Sequence, residues 1–118
     1  NKILITGNHD SRHLKREQFR SRFKSIKYGY YELETRFNGS TVLAVMCHFP
    51  IESWNKMRYG SFMLHGHCHT PLGENTYRKL KLIPNRKDIG VDSKIDHSPW
   101  EKQDLFNTIL KEFKSDAV

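Results

Sequence analysis

Cysteine is scarce: the two residues, Cys47 and Cys68, each stand beside a histidine. That excludes a disulfide framework and makes a reducing, cytoplasmic setting the expectation. Apolar residues are also few, at 36% of 118, against roughly 45–50% in an ordinary globular domain. No run approaches the ~18 apolar residues of a membrane-crossing helix, and no apolar leader opens the chain, so no membrane partner is expected. Linkers, repeats and low-complexity tracts are absent too, which leaves residues 1–118 as one domain. The chain opens on Asn1-Lys2 instead of Met and runs straight into Ile3-Leu4-Ile5. A preceding segment is therefore expected. The thin apolar content agrees, because buried parallel strands are the most hydrophobic part of an α/β fold.

Aromatics, at 12%, argue against disorder. The net charge of +7 is unevenly spread. Residues 1–27 hold eight Lys or Arg against Asp10 and Glu17, a net +6, whereas residues 92–118 hold four Lys against six acids, a net −2. A basic face suits phosphate esters or nucleic acid, though a solvated helix surface has the same composition.

Lys2–Thr6 reads as a short strand ending at Gly7. Asp10 or Ser11 can cap a helix to about Lys24, marked by Leu14, Phe19 and Phe23. Tyr30–Phe37 alternates, with Tyr31, Leu33, Thr35 and Phe37 on one face. Asn38-Gly39 then signals a hairpin, since both residues tolerate positive φ. Thr41–Cys47 is nearly all apolar and is expected inside a sheet, buried on both faces. Residues 51–61 read as loop or broken helix, Phe62–His65 as a strand, 71–87 as irregular, and Asp88–Asp92 as a last strand. Ser98-Pro99-Trp100-Glu101 has the form of a capping box with Pro at the first helical position. Leu105, Phe106, Ile109, Leu110 and Phe113 follow at helical spacing and are assigned to the core.

Five of the seven histidines fall in three short motifs. Gly7-Asn8-His9-Asp10 follows the first strand: Gly permits a tight turn, Asn offers a neutral oxygen to a cation, and His can protonate a leaving group. Asp10 can orient His9, although Asn and Asp also serve as plain helix caps. Cys47-His48-Phe49-Pro50 ends an apolar strand, so His48 points to the mouth of the sheet, where α/β proteins place their sites. Cys47 alternates to the opposite, core-facing side. His65-Gly66-His67-Cys68-His69 ends another strand. In an extended chain His67 and His69 share one side, and a pair of neutral imidazoles suits a transition metal. His65 stands either among the ligands or behind them. Trp54, Arg58 and Tyr59 lie between the motifs; Arg58 can contact a phosphate, whereas Trp54 and Tyr59 line the cleft or pack.

In that order and spacing, the three motifs resemble the calcineurin-like metallophosphoesterase family, over Lys2 to about Asp92. The closest likeness is to its small single-domain bacterial and phage branch, which ends in a segment like Gly90-Val91-Asp92. The resemblance implies an α/β fold, a metallophosphoesterase-type β-sandwich flanked by helices, here without its first two strands. It implies two divalent metal ions (Mn, Fe, Zn or Ni), with Asn8, His48 and His67 on one and His69 on the other. His9 would be the catalytic histidine, oriented by Asp10. The reaction implied is hydrolysis of a phosphate mono- or diester by a metal-activated water, the substrate extending to nucleotides or nucleic acid. The family also carries Asp-x-His and Gly-Asp motifs upstream of Gly-Asn-His-Asp, and this chain has neither. A partial domain of impaired activity is therefore expected, with an exposed sheet edge open to self-association. Two other readings stand beside it. One is a basic nucleic-acid-binding module stabilised by Zn on Cys68, His65, His69 and a fourth ligand. The other is an inactive remnant that serves as an interaction partner.

Overall fold

The computed structural model describes residues 2–68, 83–90 and 98–114. They form a small mixed α/β fold with two sheets and two helices. Strand β1 (Ile3–Ile5) pairs in parallel with β2 (Ser25–Lys27), Ile3 opposite Ser25 and Ile5 opposite Lys27. The connection between them is a 3-10 turn at His13–Lys15 and a single-turn helix, α1 (Glu17–Arg20). The helix expected to run to Lys24 is thus only a turn long. Arg16 breaks it with extended backbone (φ −97°, ψ 121°). Leu14, Phe19 and Phe23 are too widely spaced to make one apolar stripe, and neither helical turn buries a residue. Phe19 instead packs edge-on against Phe23, centroids 5.4 Å apart. Strand β2 had no signal in the sequence; the main-chain bonds Lys24 N to Lys2 O and Thr6 N to Lys27 O fasten it to β1.

The second sheet runs β3-β4-β5-β6. Strands β3 (Tyr30–Phe37) and β4 (Ser40–Cys47) form the expected antiparallel hairpin. Asn38 (φ 50°) and Gly39 (φ 79°) supply the left-handed pair that a two-residue turn requires. Strand β5 (Phe62–His65) lies parallel to β4, and β6 (Arg86–Asp88) parallel to β5. The last strand therefore ends at Asp88, where the sequence suggested it began. Of the segment expected to be irregular, residues 71–82 lie outside the described residues, as do Val91 and Asp92 of the Gly-Val-Asp ending.

Strand β4 buries both faces, as its sequence required. On one side Ala44 joins Phe37, Phe62, Leu64 and the helix residues Leu105, Phe106 and Ile109. On the other, Val45 packs with Met63, Trp54 and Ile83, and half-buried Cys47 joins them. Helix α2 (Lys102–Lys114) begins three residues later than the capping pattern suggested. Its first carbonyl acceptor is Glu101, bonded to Leu105 N at 2.9 Å. Leu110, assigned to the core, is 39% exposed, because the sheet receives the Leu105–Phe106–Ile109 stripe and Leu110 lies past its edge. The Phe113 side chain lies outside the described residues. Among the described residues no helix is long and apolar enough to cross a membrane.

Candidate metal centre

Because β4, β5 and β6 are parallel, their C-terminal ends meet at one edge of the sheet. His48 leaves β4 there, His65-Gly66-His67 leaves β5, and Asp88 ends β6 opposite His65. The turn after β1 comes to the same place. His48 Nε2 lies 2.7 Å from Asn8 Oδ1 and 3.2 Å from His67 Nδ1, and the triangle closes with His67 Nδ1 at 3.3 Å from Asn8 Oδ1. Residues distant in sequence thus aim three donor atoms at one point.

Backbone geometry sets these directions. His67 has φ +69°, and Cys68 N bonds to Gly66 O at 2.7 Å, so His67 is the centre of a three-residue turn. Such a turn at positive φ is strained, and strain of this kind gathers at functional sites. His67 thus departs from the extended backbone expected of it. The His48 ring passes between two glycines. A Cβ on Gly7 would lie 2.6 Å from His48 Nδ1, inside contact distance, and one on Gly66 would touch the same atom at 3.8 Å. Gly66 N further donates to His48 O at 3.0 Å. Arg86, 7% exposed, donates to Ile51 O at 2.9 Å and pins the loop that follows His48.

The set fits a cation in kind. Donors sharing a first-row ion at about 2.0–2.2 Å stand roughly 3.0–3.5 Å apart, and two of the three separations lie in that window. The shorter one is a hydrogen bond from His48, in its Nε2–H tautomer, to the Asn8 oxygen. Among the described residues no group of three His, Cys, Asp or Glu side chains could hold a metal ion; the triangle is two imidazoles and an amide oxygen.

The other site residues separate. Asp10 accepts Gly7 N at 2.6 Å through its carboxylate and accepts His13 N and Leu14 N through its carbonyl. It therefore fixes the turn and makes no bond to His9, and neither Asp10 nor Ser11 caps a helix as expected: Arg12 and Arg16 precede the two helical turns, and neither turn has a side-chain cap. His9 is exposed, with no side-chain hydrogen bond among the described residues. His65 is 3% exposed and bonds Gly66 O at 2.9 Å through Nδ1. Burial holds its pKa below the ordinary histidine value, with the Gly66 carbonyl and then the Asp88 carboxylate working in the opposite direction. His65 therefore stands outside the donor triangle, its ring held by the Gly66 carbonyl. Burial, then Asp88, pushes the Cys68 thiol up. His69 lies outside the described residues. Arg58 is exposed and lines an open cavity of about 490 Å³ with Glu52, Trp54 and Tyr59, and no residue of the triangle borders it. Trp54 is buried and donates to Ser61 Oγ at 3.0 Å, a packing role, whereas Tyr59 is 88% exposed.

Sequence reasoning passed over a ring against the triangle and a carboxylate beside His65. Phe49 sets its ring 4.9 Å from that of His48 and 4.6 Å from that of His67, yet stays 45% exposed. Its position directly after a strand-end histidine was the available signal. Asp88 had none, since its place beside His65 depends on strand pairing.

No protein-family model matches the chain, and neither a curated protein nor a solved structure matches it. The fold and the edge cluster define a class only at the level of a mixed α/β protein with converging polar donors.

Proposed function

We propose that Asn8, His48 and His67 hold a divalent cation and that the chain belongs to the machinery of metal-dependent phosphoester hydrolysis. The single observation that carries this reading is the donor triangle, closed within 3.3 Å by residues from three separate segments. The fold proposal that goes with it is a metallophosphoesterase-type β-sandwich, supported by two sheets and by the gathering of strand ends at the cluster.

A bound cation supplies Lewis-acid polarisation of a phosphoryl oxygen and acidification of a water. The chain's own residues do the rest. Asn8 contributes a neutral oxygen, so the site keeps a net positive charge toward an anionic ester. Asp10 locks the Gly7 amide and thereby the direction of Asn8. His9, next in the chain and exposed, would give a proton to the leaving oxygen. Phe49 packs edge-on or tilted against both imidazoles and gives the site an apolar flank. A second cation would draw on His69.

The roles separate under substitution. His9→Ala is expected to leave Mn²⁺ uptake intact, read by the loss of the free Mn²⁺ paramagnetic signal. It should lower hydrolysis of bis(p-nitrophenyl) phosphate on the order of 10²-fold. His67→Ala is expected to abolish both. Equal loss of Mn²⁺ in the two variants would contradict this division.

A further inference from the structure

The chain leaving the candidate centre is the most cationic part of the molecule. Between Ser11 and Lys27 stand Arg12, Lys15, Arg16, Arg20, Arg22, Lys24 and Lys27, against the single acid Glu17. The first six are exposed and Lys27 is half-buried. No ion pair joins any of them to a described carboxylate. Arg20 is spent on the Leu14 carbonyl, and Lys27 lies 5.0 Å over the Tyr31 ring. Cations this close in the chain repel one another, and no described carboxylate is ion-paired with them.

Topology turns this composition into a stripe. Strand β1 ends at Ile5, three residues before Asn8, and the segment carrying Arg12, Lys15 and Arg16 starts at the Asp10 carbonyl beside the donor triangle. Arg20, Arg22 and Lys24 then lead back toward the far end of the strand pair, where Ser25 meets Ile3. Strand β2 returns parallel to β1 and brings Lys27 opposite Ile5, at the site end. Three paired residues alone span about 10 Å. A single phosphate group engages one or two such cations, whereas a polymer with one charge per nucleotide engages the row.

Exposed rings accompany the charges. Phe49 lies against both cluster histidines and is 45% exposed, and Tyr28, next to Lys27, is 72% exposed. A basic track with an aromatic at the reacting end is the composition that binds single strands, with phosphates on the cations and bases on the rings. We infer that the ligand of this surface is single-stranded nucleic acid, led along the 11–27 stripe to the donor triangle with a base stacked on Phe49. The assignment as substrate rests on the metal-site reading; the binding itself does not.

The test is fluorescence anisotropy of a labelled oligothymidylate of about 20 nucleotides, titrated with the chain across a range of KCl concentrations, with EDTA and with Mn²⁺. Expected is binding whose log Kobs falls linearly with log salt, with a slope of about −0.7 for each phosphate held. The combined Arg12→Ala, Arg16→Ala and Arg20→Ala variant should bind about tenfold or more weakly with a flatter slope. Phe49→Ala should lose about fivefold or more with the slope unchanged. Circular dichroism checks that both variants remain folded. Absence of binding at low salt, or unchanged binding in the triple variant, overturns the inference. So does equal affinity for inorganic polyphosphate or a duplex together with indifference to Phe49→Ala. Mn²⁺ uptake in the same samples separates the two claims. Uptake without oligonucleotide binding overturns the surface alone, and binding without uptake upholds the surface while removing the metal reading.

Discussion

Phe106→Ala is expected to cost about 3–5 kcal/mol, a large share of the roughly 5–15 kcal/mol that holds a domain folded. Phe106 is 2% exposed and stacks on Phe62, with centroids 4.3 Å apart and planes 5° from parallel. It also meets Phe37 edge-on at 5.2 Å. These three rings, from the end of β3, the start of β5 and the middle of α2, join the helix to the sheet. Truncation leaves a void that neither strand can fill, because Phe37 is held by the hairpin turn and Phe62 by its pairing with Ala44. Leu110→Ala is the control, since Leu110 is 39% exposed; its cost should stay under about 1 kcal/mol. Urea unfolding followed by circular dichroism compares the two. A Phe106→Ala midpoint no lower than that of Leu110→Ala would show that α2 does not pack as described.

Gly7→Ala should weaken Mn²⁺ binding on the order of 10–100-fold while leaving the fold intact. The new methyl carbon would stand 2.6 Å from His48 Nδ1 and 2.8 Å from two ring carbons. The imidazole is the mobile partner, so it moves, and it carries Nε2 away from Asn8 and His67. The magnitude is that of substitutions which misdirect a metal-binding histidine without removing it. Gly39→Ala is the companion, because Gly39 is far from the cluster and a Cβ there meets nothing within 4 Å. Its positive φ costs stability and should leave Mn²⁺ affinity untouched. Unchanged affinity in Gly7→Ala would mean that His48 is not held where the triangle requires it.

What the sequence made legible divides by range. The Asn38-Gly39 hairpin, the doubly buried β4 and the β5 span follow from local chemistry, namely positive-φ residues, a continuous apolar run and strand-end histidines. The convergence of Asn8, His48 and His67 was legible from the motifs together. What escaped depends on distant partners. Strand β2 exists because Ser25–Lys27 finds β1, and its own residues carry no strand pattern. The helix expected over 11–24 fails because its apolar residues lack a common face and Arg16 turns extended. Leu110 fits the helical period yet lies beyond the sheet's reach. The left-handed turn at His67 had a partial signal in the neighbouring Gly66, but the positive φ falls on the histidine.

The central claim is that the edge cluster is a cation site, and metal content tests it most directly. The purified chain, loaded with Mn²⁺ and passed through a desalting column, would be analysed for manganese beside a His48→Ala variant treated identically. The account predicts about one tightly held cation per chain and none in the variant. A second per chain that also depends on His48 would extend the site to two ions. No manganese in the parent chain, or the same amount in His48→Ala, would contradict the account.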